Sequence, residues 1–267
     1  MELRLLCVGD VVGAPGRTVL REGLEALVPA LRVDCVIVNA ENAAAGSGLT
    51  APLFEKIIHY GADLITLGDH IYRRREIIRV LEQSERIVRP ANLPSAAPGR
   101  EVAVRQTASG NRVAVISLLG RMFMKPLSNC PFAGVDRVLA ALSKDVKIIV
   151  VDMHAEATSE KVAMGWHLDG RASVVFGTHT HVPTADERVL PRGTAYITDV
   201  GMTGPYDSVL GRDKHRVISS LLTGVPEMFD VASNDARLSG ILVSVDSATG
   251  RATGIERISY PNSKASS

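Results

Sequence analysis

The sequence has little cysteine: Cys7, Cys35 and Cys130 are an odd number, far apart and without CxxC spacing. That excludes a disulfide scaffold and offers no thiolate metal site. Aromatic residues are scarce, with five Phe, five Tyr and one Trp, too few for the stacking platform a long single-stranded nucleic acid requires. Charge of one sign is also missing. Lys and Arg number 30 against 29 Asp and Glu, a difference of +1, so no broad field for a polynucleotide or a membrane surface is expected. No long hydrophobic run occurs: the N-terminal apolar stretch is short, carries Arg4 and runs into Gly9-Asp10, which is neither a signal peptide nor a membrane span. A cytoplasmic protein acting on a small, locally recognised ligand is the expectation. No GxGxxG follows the first apolar run, and Gly46-Ser47-Gly48 lacks a following Gly-Lys-Ser/Thr, so dinucleotide-binding and P-loop readings fail. There is no repeat and no low-complexity linker, and residues 1–267 read as one domain with a disordered tail at 262–267.

What is present is a rhythm. Short runs rich in Val, Ile and Leu, at 3–8, 35–39, 64–67, 113–118, 146–152, 174–176 and 195–198, predict buried strands covered on both faces. Between them, apolar residues return every three or four positions at 17–31, 51–60, 74–83, 135–143 and 159–164, which predicts helices. Runs at 238–245 and 253–260 flank a Ser247-Ala248-Thr249-Gly250 turn and predict an antiparallel hairpin. The fold class is α/β, with sheets mixing parallel and antiparallel strands.

Polar residues with metal-ligand chemistry fall where these strands end. Asp10 follows the first, Glu41-Asn42 the second, Asp69-His70 the third, His154 the strand ending near Asp152, and His179 and His181 the strand ending at Phe176. The carboxyl ends of parallel strands share one edge of a sheet, where ligands bind, so five segments are expected to converge. His179 and His181 stand two apart, and an extended segment would point both imidazoles to one side. Carboxylates and imidazoles without thiolate suit Fe, Mn or Zn, and the residues do not choose among them.

Each piece alone has an ordinary structural reading. Asp10 could cap a turn, Glu41-Asn42 could be a solvated loop, Asp69 could cap a helix, and His154 could be a satisfied polar group at a strand end. The joint pattern favours a site, and the His179/His181 pair is the hardest part to explain otherwise. His59 and His215, in helical segments, take the ordinary reading, and His167 leans the same way.

The motifs Gly9-Asp10, Asn39-Ala40-Glu41-Asn42, Gly68-Asp69-His70, His154 and Gly177-Thr178-His179-Thr180-His181 resemble, in order, those of calcineurin-like metallophosphoesterases. Gly9-Asp10-Val11-Val12-Gly13, Glu41-Asn42-Ala43-Ala44, Arg89-Pro90-Ala91-Asn92, the 152–160 segment and the 199–205 segment are similar to the YmdB-like bacterial branch. The resemblance implies an α/β/β/α sandwich with mixed sheets. It also implies a phosphodiesterase with two divalent or trivalent metal ions, Fe or Mn first and Zn after. By the same resemblance Asp10 and His181 bind one metal, Asp69, His154 and His179 the other, and Glu41 bridges them. Asn42 is a ligand beside the first metal or a contact to the substrate phosphate, and His70 is the catalytic proton donor. The implied substrate is a small phosphoester or a cyclic nucleotide, 2′,3′ or 3′,5′, hydrolysed by metal-activated hydroxide, and a homo-oligomer is expected.

Two departures stand out. The superfamily's Asp-x-His is Asp10-Val11-Val12 here, and the Asn before the proton-donating His is Asp69. The missing imidazole favours an alternative, a regulatory protein that binds a phosphorylated ligand or a partner and keeps the metals with little catalysis.

Overall fold

A computed structural model describes residues 1–125 and 127–261; the tail expected to be disordered at 262–267 lies outside the described residues. The chain begins with β1 (Glu2–Val8), β2 (Asp10–Val11), α1 (Gly13–Ala30), β3 (Cys35–Asn39), α2 (Ala51–His59), β4 (Leu64–Thr66) and α3 (Ile77–Gln83). It continues with β5 (Val102–Gln106), β6 (Arg112–Leu119), α4 (Pro131–Ala141), β7 (Ile148–His154), α5 (Thr158–Leu168) and β8 (Val174–Thr178). It closes with β9 (Arg188–Val189), β10 (Ala195–Ile197), β11 (Met202–Pro205), α6 (Lys214–Thr223), β12 (Ala236–Asp246) and β13 (Ala252–Tyr260).

Two mixed sheets result. One has the order β2-β11-β12-β1-β3-β4, with β13 also paired to β12; the other has the order β5-β6-β7-β8-β10-β9. The strands β1, β3 and β4 run parallel, as do β6, β7, β8 and β10. Antiparallel pairing enters through β12 and its hairpin partner β13, and at the edges through β5 and β9.

Strand alternation sorts the apolar residues into three layers. Leu3, Leu5 and Cys7 of β1 pack with Ile37, Leu64, Val150, Val174, Phe176 and Ile197 between the two sheets. Their neighbours Leu6 and Val8 turn the other way, onto Leu20 and Leu24 of α1, Phe54 and Ile57 of α2, and Ile77 and Leu81 of α3. On the far face of the second sheet, Ile116, Val151 and Val175 pack with Val135 and Val138 of α4 and Met164 and Leu168 of α5. A side chain on a strand alternates with period two, so each buried strand feeds two layers at once. The α/β/β/α sandwich with mixed sheets is therefore the fold.

The differences from expectation lie where pattern is weak. The strands β5 and β9 are edge strands with exposed residues, so they lack the continuous apolar run of a central strand. The short β2 and β11 are held by pairing with each other, Met202 with Asp10 and Thr203 with Val11, and a two-residue strand has no period to detect. Helix α3 begins at Ile77 rather than near residue 74, because Ile77 N–H and Ile78 N–H close tight turns onto the carbonyls of Arg74 and Arg75. No described helix is long and apolar enough to cross a membrane.

Candidate active site

The strand rows that fill the layer between the sheets become polar at their carboxyl ends. On β3 the row that carries Ile37 continues into Asn39; on β4 Leu64 is followed by Thr66. On β7 Ile148 and Val150 are followed by Asp152 and His154, and on β8 Val174 and Phe176 are followed by Thr178. Period two thus delivers all these polar groups to the same face. The loops beyond the strands add the rest.

Glu41, Asp69, His154 and His179 each offer a ligand atom, and these atoms lie within 4.8 Å of one another. His154 Nε2 is 3.1 Å from Asp69 Oδ1, 3.2 Å from Glu41 Oε1 and 3.1 Å from His179 Nδ1. A second group adjoins the first. Asn42 Nδ2 is 3.2 Å from His181 Nε2, 3.5 Å from Asp10 Oδ1 and 3.3 Å from Glu41 Oε1. Asp10 Oδ1 is also 3.9 Å from both His181 Nε2 and His154 Nδ1. One oxygen of Glu41 therefore touches both groups. The sequence-derived residues Asp10, Glu41, Asn42, Asp69, His70, His154, His179 and His181 are all brought to this one place.

Two local geometries differ from the sequence reading. Strand β7 runs through His154 itself, which is fully buried, so this imidazole is set by sheet pairing and not by a loop. The extended conformation expected for His179 and His181 is not adopted. Strand β8 stops at Thr178, and both histidines have left-handed backbones, φ 90° and 64°. The loop leaves the strand in a turn because Asp199 captures it: Thr180 N–H and Thr180 Oγ1 both donate to Asp199 Oδ2, which also receives Lys161 Nζ at 2.7 Å. Lys161 and Asp199 are fully buried, and each charge depends on the other for compensation.

A supporting shell holds the imidazoles. Thr178 Oγ1 lies 2.8 Å from His154 Nδ1 and donates to Asp152 Oδ1 at 2.6 Å. Asp152 is the hub of this shell, accepting also from Asn39 Nδ2 and Thr66 Oγ1, and burial pushes its carboxyl up to about 6. Glu156 Oε2 lies 3.2 Å from His179 Nε2. Such outer partners fix the tautomer and orientation of a ligating imidazole. Asp152, Glu156, Lys161 and Asp199 carry no role in the sequence reading. For Asp152 the signal was available, since a carboxylate inside Ile148–His154 two residues before His154 shares its face.

Electrostatically the site is a concentration of buried carboxylates. Burial opposes ionisation of Glu41, but the charge and hydrogen bonding of His154, with the hydrogen bond of His70, prevail and hold its carboxyl down at about 2. Asp69 is likewise partly buried, and hydrogen bonds from His154 and His179 hold it well below the carboxylate range. Burial pushes His154 down and the surrounding carboxylates push it up further, so it is held well above the ordinary imidazole range. Buried anions of this density require cations beside them. A donor set of carboxylate oxygens and imidazole nitrogens without sulfur fits Fe, Mn or Zn, and Glu41, Asp69, His154 and His179 are placed to hold such an ion.

Close packing is part of the site. A Cβ at Gly68 would fall 2.3 Å from Glu41 Oε2 and 2.3 Å from the His154 ring. Gly68→Ala is expected to push these two side chains apart and to lower kcat/KM about 10²-fold, the cost of roughly an ångström of misplacement. Steady-state kinetics on folded protein measure it. A wild-type rate would show that the Glu41–His154 spacing is not critical.

Comparison with known proteins completes the picture. Residues 6–258 match the YmdB-like protein family. The chain is 47% identical, over 96% of each sequence, to a 2′,3′-cyclic-nucleotide 2′-phosphodiesterase of Bacillus subtilis. A hypothetical protein of Thermus thermophilus, with a crystal structure, superposes with a TM-score of 0.90 at 40% identity, covering 97% of this chain and 99% of that one. A crystal structure of a novel phosphatase of Mycoplasma pneumoniae gives 0.91 at 34% identity, covering 97% and 93%. The chain belongs to the YmdB-like family and, with it, to the phosphoester hydrolases of the metallophosphoesterase type.

Proposed function

We propose that this protein is a two-metal phosphodiesterase that opens 2′,3′-cyclic nucleotides at the 2′ oxygen, leaving a nucleoside 3′-phosphate, with 3′,5′-cyclic nucleotides as further substrates. The observation that carries the proposal is the meeting of three carboxylates and three imidazoles, with one Glu41 oxygen common to both groups, at the floor of a cavity of about 300 Å³. The Bacillus subtilis relative supports the substrate class.

In this reading Asp10 and His181 would hold one ion with Asn42 beside it, Asp69, His154 and His179 would hold the other, and Glu41 would lie between. Fe or Mn suits the set best, with Zn next. Two such ions supply neutralisation of the phosphoryl charge and a lower pKa for water. The chain's own groups do the rest. Asp152 and Thr178 fix the His154 ring, Glu156 fixes His179, and the buried Lys161–Asp199 pair holds the histidine loop. His70 lines the same cavity and delivers a proton to the departing 2′ oxygen as water adds to phosphorus. The same reading keeps the protein in the cytoplasm, and the exposed apolar Leu221, Leu222 and Met228 on and beyond α6 support a homo-oligomer.

The test is hydrolysis of adenosine 2′,3′-cyclic phosphate by protein purified without added metal, then supplied with Mn, Fe or Zn. Metal-dependent formation of the 3′-phosphate is the expected result, with two ions per chain by elemental analysis. Two bound ions without turnover of any cyclic nucleotide would instead support the regulatory alternative, which the absence of an imidazole at Val12 favours.

A further inference from the structure

Beside the catalytic cavity lies a second one, of about 610 Å³, whose wall carries Arg17, Arg73, Arg74 and Arg75 against a single carboxylate, Glu76. Among the described residues no carboxylate lies within salt-bridge distance of these four guanidinium groups. Arg17 gives one N–H to the carbonyl of Ala43, and the other three side chains are exposed. In a chain whose formal charge is +1, this is a local concentration of positive charge. Like charges held together repel unless an anion joins them.

The position of this cavity relates it to the catalytic one. Arg73 N–H bonds the carbonyl of His70 at 3.0 Å, so the arginine run leaves the catalytic histidine within one turn. The loop after Asn42 lines both spaces. Ala44 and Ala45 line the arginine cavity and Gly46 lines the catalytic one. Arg212, on the catalytic side, gives N–H groups to the carbonyls of Ala45 and Gly46. On the other side a Cβ at Gly48 would fall 2.9 Å from Arg74 Cγ and 3.1 Å from Arg73 Cβ, so the loop backbone lies against the stems of both arginines.

We propose that the arginine cavity is a second phosphate subsite, which holds a phosphate on the 5′ oxygen of the nucleotide whose cyclic phosphate occupies the catalytic cavity. This rests on the function proposed above. Guanidinium groups match phosphate oxygens in paired, charge-assisted hydrogen bonds. The position follows from the ribose: the 2′ and 3′ oxygens are already esterified in the cyclic phosphate, and 5′ is the remaining ester position. The shared chemistry admits two sources, a terminal 5′-monophosphate or the internucleotide linkage of a short RNA ending in a 2′,3′-cyclic phosphate.

Two measurements on the metal-loaded protein test it. In the first, kcat/KM is compared for adenosine 2′,3′-cyclic phosphate, its 5′-phosphorylated form and the dinucleotide ApA ending in the same cyclic phosphate. A preference of about tenfold or more for a substrate with the 5′ phosphate is expected, weakening as salt rises. In Arg74→Gln/Arg75→Gln the preference falls toward one. A preference for the 5′-monophosphate alone identifies the terminal group, and an equal one for the dinucleotide identifies the linkage. The second measurement is calorimetric binding of adenosine 3′,5′-bisphosphate against adenosine 3′-monophosphate, which needs no turnover. Tighter binding of the bisphosphate in wild type, lost in the variant, is expected. Equal kcat/KM and equal affinity across each pair, or a preference unchanged in the variant, would overturn the subsite. Absence of all turnover with the binding preference intact would overturn the catalytic reading and leave the subsite standing.

Discussion

Glu41→Gln is expected to reduce metal content from two ions per chain to less than one and to abolish phosphodiesterase turnover. The substitution keeps the shape of a fully buried side chain and removes its charge. In the proposed arrangement a single oxygen of Glu41 reaches His154 in one group and Asn42 in the other, so both ions lose a ligand at once. A terminal position such as His181 serves only one ion, and His181→Ala is expected to keep the other. Elemental analysis of the two variants, purified in parallel, distinguishes the roles. Two ions retained by the Gln variant would show that Glu41 does not bridge. The amide oxygen can still accept the backbone N–H of His70, now 3.1 Å from Glu41 Oε2, so a folded protein is expected.

The convergence of these side chains shows how much of the site could be read without coordinates. Asp10, Glu41, Asp69, His154, His179 and His181 are each placed near the end of an apolar run, and the parallel order of the strands brings those ends together. The buried strands were legible because an apolar run such as 146–152 needs cover on both faces, whereas the order of the layers was implied by the family resemblance alone. What was not legible depends on contacts between distant segments. The left-handed turn at His179 and His181 follows from Asp199 reaching back to Thr180, and no local propensity of Gly177-Thr178-His179 announces it. Lys161 reads as an ordinary polar position of α5, yet it is fully buried against Asp199. Pairing of β2 with β11 joins residues nearly two hundred positions apart, each in a stretch too short to have a period.

The shared cluster of Glu41, Asn42 and His70 also explains why neighbouring residues in sequence separate in role. Asn42 Oδ1 lies 2.8 Å from His70 Nδ1, while Asn42 Nδ2 faces Asp10, Glu41 and His181. One amide thus spans the interval between the proposed ligand set and the proposed acid. Its two ends are chemically different, and turning the amide over would set Nδ2 toward His70 and Oδ1 toward the carboxylates. The arrangement with the oxygen toward His70 is the one that keeps an acceptor opposite a ring N–H.

His70→Ala is expected to lower turnover of adenosine 2′,3′-cyclic phosphate by about 10²–10⁴-fold, the usual cost of removing a positioned proton donor, with both ions retained. The ring stands at the cavity side of the cluster, a quarter exposed, and its neighbours are suited to a donor. Burial pushes the imidazolium down, but the hydrogen bond and charge of Glu41, helped by Asp69, outweigh it and hold His70 above its ordinary value. A raised value keeps the acid form populated to higher pH, so donation is available near neutrality. Asp69 stands where the wider superfamily has Asn, and its oxygen is 3.7 Å from His70 Nε2. The additional charge therefore acts on the acid as well as on the metal site. The deficit in His70→Ala should shrink toward wild type for a nitrophenyl phosphodiester, whose leaving group departs as a stable anion and needs no proton. Kinetics on the two substrates, with elemental analysis of the same preparations, separate the possibilities. An equal loss on both substrates would assign His70 to phosphate binding, and a loss of an ion along with activity would make it a ligand.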